Sequence, residues 1–331
     1  MIDIIVGMQY GDEGKGASAV MLDMENRYDF AVRTGGSQAE HRFRYGPRFY
    51  RMRVLPCIAA IRPDVPCFLA GGMVIRPDIL ATERLRYNIR YLTIDAGAPI
   101  SVARDRDESK QLGLYERRGG YGMGISPALI AKIRRDGTAV LASSIFPGET
   151  SDVSRDINEL VKMGRHGLIE ASQGALLSIT HGDYPHTTSY DVTAPAVMNA
   201  AGIGIKAVRH VYGVVRCYPM RVAGNSGPLP QETSFDEIER KSGAKIADYR
   251  RQQTNEDNTP YGEERIGKFD LRDFRKAANL NTPDSIILTH TDWTTPDELE
   301  YITQAIHDEG YDISYTRHGE QVRDYVKKRI P

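Results

Sequence analysis

Ile2 to Asp23, IDIIVGMQYGDEGKGASAVMLD, is the stretch whose reading decides the fold. Ile2, Ile4, Ile5 and Val6 form a β-branched run of the kind buried on both faces of a parallel sheet. Gly7, Gly11, Gly14 and Gly16 then break the run into a glycine-rich loop, and Ala17 to Met24 restores a helical composition. Strand, glycine loop, helix is an order that points backbone N–H groups at a phosphate, with the helix N-terminus adding positive potential. Lys15 supplies a point charge for a terminal phosphate. The loop departs from a standard P-loop at two places. Gly16 stands where Ser or Thr would hold magnesium, and Gln9 stands where the first glycine belongs. Asp12 and Glu13 also sit among the donors, where they repel a phosphate. An acid in that place makes sense if it holds a metal or takes a proton.

A chain of 331 residues buries a large core, as one big α/β domain or as two smaller ones. The formal net charge of −1 gives no global attraction to nucleic acid or to a membrane. No apolar run approaches bilayer length, and the N-terminus carries no signal-peptide pattern. Cys57, Cys67 and Cys217 are odd in number and lack CxxC spacing. They favour buried thiols in a reducing cytosol over a disulfide framework or a zinc site, so a cytoplasmic location is expected.

Beyond the first helix, Asp29 to Val32 reads as a second strand feeding the loop TGGSQAEH, Thr34 to His41. HRFRYGPRFYRMRVLP, from His41, alternates basic with aromatic or apolar residues around Gly46-Pro47, a hairpin signature. In a neutral chain we read it as a solvated sheet face rather than a nucleic-acid surface. Arg76-Pro77 opens a helix. GGYGMGISP, Gly119 to Pro127, is a second glycine loop, and the helix after it carries Lys132, Arg134 and Arg135. A helix over about 151–162, a strand at Leu168 to Glu170 and a β-rich run from Val208 to Cys217 follow. His181, Asp183 and His186 lie in a Gly/Pro-punctuated loop without helical ligand spacing, so no metal cluster is expected there. SIILTHTD, Ser285 to Asp292, is a buried strand ending in a polar loop. Thr295, Pro296 and Glu298 then make an N-cap, an N1 proline and a capping-box acid, with Leu299, Ile302 and Ile306 as the apolar stripe. Strands alternating with helices, and glycine loops after strands, predict a doubly wound, mostly parallel α/β sheet.

GMQYGDEGKG, Gly7 to Gly16, resembles the signature loop of adenylosuccinate synthetases, which join L-aspartate to a purine 6-position at the expense of a nucleoside triphosphate. The resemblance covers nearly the whole chain and implies one large α/β domain over 1–331. It implies that Asp12 is catalytic base and Mg2+ ligand, and that Lys15, Gly11, Glu13, Gly14 and Gly16 meet the triphosphate. GGSQAEH is similar to the family's G-x-N-A-G-H, which makes His41 a general acid toward the purine 6-oxygen, puts Gln38 at the substrate, and places the carbonyl of Glu40 on the metal. EASQGALLSITHGDYPHTTSYDVTAPAV, Glu170 to Val197, is the longest match. There Gln173 faces the purine and Thr188 the monophosphate. Gly120 and Tyr121 match a pair of phosphate-binding threonines, Arg135 an arginine that crosses a homodimer interface to the partner's substrate, and Arg221 a motif arginine. Thr289 and Asp292 match the reader of the triphosphate base, with His290 replacing a lysine.

The implied mechanism has two steps. Asp12 removes the N1 proton while the γ-phosphoryl group passes to O6, and the amine of aspartate then displaces the phosphate. The largest departure from the family is NTPYGEERIGKFD, Asn258 to Asp270, which stands for an arginine-rich aspartate-binding loop. Arg265 alone survives, and Glu263 and Glu264 replace arginines. Together with Gly120 and His290, this pattern resembles the compact bacterial-virus branch. That branch converts dGMP with ATP or dATP for diaminopurine DNA, and works in the host cytoplasm. The alternative is an ordinary synthetase using IMP and GTP, which the retained Asp12 favours.

Overall fold

The computed structural model describes residues 1–113, 122–246 and 263–328. In chain order its strands begin with β1 (Ile2–Gly7), β2 (Phe30–Arg33), β3 (His41–Tyr45), β4 (Arg48–Met52) and β5 (Cys67–Leu69). Next come β6 (Leu92–Asp95), β7 (Thr150–Ser151), β8 (Gly167–Gly174), β9 (Val208–Arg216) and β10 (Met220–Arg221). The last are β11 (Glu232–Thr233), β12 (Arg265–Gly267), β13 (Ser285–Thr289), β14 (Ile313–Arg317) and β15 (Tyr325–Lys327). A ten-stranded sheet runs β15-β14-β13-β9-β1-β8-β2-β5-β6-β7. Every pairing in it is parallel except that of the edge strand β15 with β14. It is the mostly parallel α/β sheet that the alternating pattern predicts.

β1 lies between β8 and β9 and is buried along its whole length. Ile2, Ile4 and Val6 pack on one face with Ile157 and Val197. Ile5 packs on the other with Ala17, Leu22 and Ile58. Both faces are covered by helices, which is why the strand reads as a continuous apolar run. A third cluster joins Val215 and Leu288 to Phe274, Ile302 and Ile306 of the helices Leu271–Asn281 and Pro296–Asp308.

The local signals hold with small shifts. β3 and β4 form the hairpin in register His41↔Met52, and its inner face stacks Phe43 on Tyr50 at 5.0 Å. Thr295 caps the helix Pro296–Asp308 with Glu298 returning to the cap, as its sequence dictates. The first helix spans Lys15–Asn26, starting before Ala17, because Gly14 at φ 95° turns the chain into it. β8 runs to Gly174, past the expected end at Glu170, through the polar residues Ser172 and Gln173. All three cysteines are buried and free. Among the described residues no helix is long and apolar enough to cross a membrane.

This topology brings the carboxyl ends of β1, β2, β8, β9 and β13 together. In open parallel sheets, ligands bind where loops leave those ends.

Candidate functional site

The glycine loop after β1 is folded around Glu13. Its fully buried carboxylate accepts from the N–H groups of Gln9 (3.0 Å) and Gly11 (2.9 Å) and pairs with Lys15 at 2.6 Å. Glu13 therefore points into the loop, not out toward a phosphate. Thr289 ties the same loop to β13 by donating to the Glu13 carbonyl at 2.6 Å. A Cβ on Gly7 would lie 2.6 Å from the Gln173 carbonyl, so the strand end admits only glycine. A Cβ on Gly16 would lie 2.8 Å from both the Cys57 Sγ and the His41 Cβ. That contact is the reason no Ser or Thr follows Lys15, and it removes the hydroxyl with which a P-loop holds its metal.

Asp12 adopts a left-handed backbone at φ 58° and lies at the loop's crest. Its carbonyl accepts from Arg216 Nη1 at 2.8 Å, and the Arg216 guanidinium lies over the Trp293 ring at 4.6 Å. No described residue hydrogen-bonds the Asp12 carboxylate.

His41 opens β3 instead of ending a loop, and its ring is held from behind. Nδ1 lies 2.5 Å from Glu170 Oε1 and 2.7 Å from Arg33 Nη1, Arg33 donates to the same oxygen at 2.6 Å, and the Cys57 N–H donates to Glu170 Oε2 at 2.7 Å. Nε2 is the nitrogen left for a ligand. Burial, and then the Arg33 charge, lower the His41 pKa to about 4, so the free imidazole is neutral. Burial alone would raise the Glu170 pKa, yet Arg33 and the bond from His41 hold it below its ordinary value. Neither Arg33 nor Glu170 was singled out from the sequence as part of this site. The signal was present: FAVR and LIE are apolar strands ending in opposite charges, and Arg33 and Glu170 are paired residues of β2 and β8.

Two cavities meet here, one of about 430 Å³ and one of about 100 Å³, and they share Asp12, Lys15, Glu40, His41 and Arg42 as walls. The larger takes in Gln38, Gln173, Thr188 and Arg221. Gln38 donates to Tyr190 at 2.9 Å and Thr188 at 3.4 Å, and Gln173 is held at φ 64°. Arg221 lies 4.0 Å over the Tyr10 ring. The smaller takes in His290, Asp292 and Trp293, with His290 edge-on to Trp293 at 4.9 Å. Burial, Arg216 and Arg317 pull the His290 pKa well down, so it lacks the charge of the lysine it replaces.

Other expected residues are placed differently. Arg265 is committed to Glu232 through two bonds of 2.8 and 2.7 Å and to the Gly227 carbonyl at 2.6 Å. Arg135 caps the C-terminus of the helix Ile125–Arg134 and is exposed. Gly120 and Tyr121 lie outside the described residues. Glu40 pairs with Arg53 at 3.1 Å and Arg42 at 3.5 Å, which leaves its backbone carbonyl as its donor to a metal. With the uncommitted Asp12 carboxylate beside it, this oxygen set fits a hard divalent cation such as Mg2+. Glu264, on the larger cavity's wall, was noticed in the sequence only as a lost arginine.

An adenylosuccinate synthetase family profile matches residues 4–143 and 141–324. The adenylosuccinate synthetase of Methanocaldococcus jannaschii is 30% identical over 302 residues, covering 87% of this chain and 82% of that protein. That of Methanococcus vannielii is 31% identical over 305 residues, with 88% and 85% covered. Among solved structures, the succinoaminodeoxyadenylate synthetase of cyanophage S-2L, bound to dGMP and dATP, superposes with a TM-score of 0.87. It is 26% identical, with 99% of this chain and 95% of that one covered. The fully ligated adenylosuccinate synthetase of Plasmodium falciparum shares the fold, with a TM-score of 0.84 at 20% identity and 99% of both chains covered. The chain therefore belongs to the adenylosuccinate synthetase family, the carbon–nitrogen ligases that make purine nucleotides.

Proposed function

We propose that this ligase joins L-aspartate to the 6-position of dGMP, using ATP or dATP, and yields a 2-amino-N6-succinyl deoxyadenylate. The observation that carries the choice of a deoxynucleotide is Arg265. The one arginine left from the family's aspartate and ribose loop is spent on Glu232 and Gly227. A site without a partner for the ribose 2′-hydroxyl no longer penalises its absence. The likeness to the cyanophage enzyme, which binds dGMP and dATP, supports the same reading.

In this reading the purine nucleotide occupies the larger cavity, with Gln173 against the base and Thr188 and Gln38 toward the monophosphate. Asp12 takes the N1 proton, and Lys15 and the loop N–H groups draw charge from the γ-phosphoryl group as it passes to O6. His41 Nε2 meets O6, with Arg33 and Glu170 holding the ring from the far side. Asp12 and the Glu40 carbonyl would hold Mg2+, which would supply positive charge against the phosphates. The triphosphate base lies in the smaller cavity with Asp292. A homodimer, with Arg135 reaching the partner's substrate, completes the site in the host or cellular cytoplasm.

A second reading, IMP with GTP, is favoured by the retained Asp12 and by the ordinary synthetases among the sequence relatives. A competition assay decides between them. With equal dGMP and IMP, aspartate and Mg2+, the 2-amino product should dominate by mass, with ATP or dATP outperforming GTP. Faster consumption of IMP would establish the second reading.

A further inference from the structure

Glu264, the residue before β12, is an ionisable side chain of the larger cavity with no part in the glycine loop or the His41 cluster. Its Oε2 atom is buried and has no hydrogen-bond partner among the described residues. The neighbouring Arg265 is turned away to Glu232, so it does not neutralise Glu264. The charged groups that act on it are Asp12, Arg42 and Arg216. Arg216 is already engaged with the Asp12 carbonyl and Trp293. A buried carboxylate with an open lone pair is costly. In a cavity meant for phosphates and carboxylates it also repels nearly everything that enters. Among the reactants there is one organic cation, the α-ammonium of L-aspartate.

That ammonium is also unreactive until it loses a proton. A carboxyl of ordinary acidity competes poorly for it. Burial raises the Glu264 pKa, so the carboxylate paired with an incoming ammonium is a stronger acceptor than an ordinary one.

We propose that Glu264 binds the α-ammonium of L-aspartate and takes its proton, freeing the amine to attack C6 of the phosphorylated purine. The proposal rests on the ligase reading above. The amine lone pair forms the N–C6 bond, and the C6–O bond breaks with its electron pair leaving on phosphate. One ammonium proton goes to Glu264, and the second goes from the tetrahedral adduct to the departing phosphate. The resulting secondary amine is neutral. Glu264 returns its proton to water as product leaves.

The test uses the full chain with Mg2+, purine monophosphate and a triphosphate isotopically labelled in its β–γ bridging oxygen. Without aspartate, scrambling of that label reports phosphoryl transfer to the purine. With aspartate, the adduct measured by mass reports the attack. Glu264→Gln should keep scrambling within about threefold of wild type and lower the coupling kcat about 10²-fold at neutral pH. The deficit should narrow at alkaline pH, where solution supplies the free amine. Glu264→Asp, which retains a carboxyl, should recover part of the rate and guards against a folding defect. Equal losses in both assays would overturn the proposal, as would unchanged coupling. A raised KM for the purine nucleotide alone would assign the carboxyl to the base and overturn it too. Wild-type protein that neither scrambles label nor forms adduct would defeat the ligase reading itself, and this proposal with it.

Discussion

Asp12→Asn should lower aspartate-dependent turnover by roughly 10²–10⁴-fold, the span a positioned proton acceptor contributes. The substitution keeps the shape of the side chain and removes its basicity and charge. Asparagine also tolerates the left-handed conformation that Asp12 adopts at φ 58°, so the crest of the loop should stay in place. The Arg216 bond reaches the backbone carbonyl and survives the change. The loss should therefore fall on kcat more than on nucleotide affinity, and steady-state kinetics beside calorimetric binding separates the two. Wild-type turnover would remove Asp12 from the role of base. The same variant tests the homodimer. Mixed with Arg135→Ala subunits it should regain part of the activity, because some mixed dimers carry one intact site. No recovery, or a monomer by light scattering, counts against Arg135 acting across an interface.

His41→Ala should cost a similar factor in kcat/KM, and it should also change how the protein responds to acid. In the native state the imidazole stays neutral down to about pH 4, whereas the unfolded chain takes up a proton near the ordinary value of 6.5. The unfolded state thus binds more protons throughout that interval. The associated stability is complete above pH 6.5 and is lost as pH falls toward 4. Glu170 acts in the same direction lower down, since its folded-state pKa is also depressed. Melting temperatures of the wild type should begin to drop below about pH 6.5. In His41→Ala the upper part of that slope should become shallower, the remainder coming from His290 and His210, whose pKa values burial also lowers. A variant that keeps the wild-type slope would mean that another group carries the acid sensitivity.

How far the sequence could be read depended on whether a residue's environment was local. The central strand was legible because burial on both faces leaves an unbroken apolar run, and the Thr295, Pro296 and Glu298 cap because its partners lie three residues apart. The hairpin was legible from alternation about one turn. Glu13 was not. Whether an acid in a glycine loop faces in or out depends on left-handed turns at Gly11, Asp12 and Gly14, which residue types permit without dictating. Arg265 looked like a ligand because its partner, Glu232, sits 33 positions away on a strand of two residues. The extension of β8 was hidden because Gln173 is polar for the cavity it lines and Ser172 for its bond to the Thr34 carbonyl. At each of these points a distant contact overrode the local pattern.

Arg216 stands behind the walls of the two chambers and touches residues of each. It lies on the indole that walls the smaller one and donates to the backbone carbonyl of Asp12, which walls both. If, as proposed, the triphosphate base presses on Trp293 and Asp12 takes the purine proton, both events meet on one guanidinium. Such a link is necessarily two-way. Whatever factor the donor adds to the affinity of the acceptor nucleotide, the acceptor must add to that of the donor. Order of arrival then becomes a matter of concentration instead of obligation.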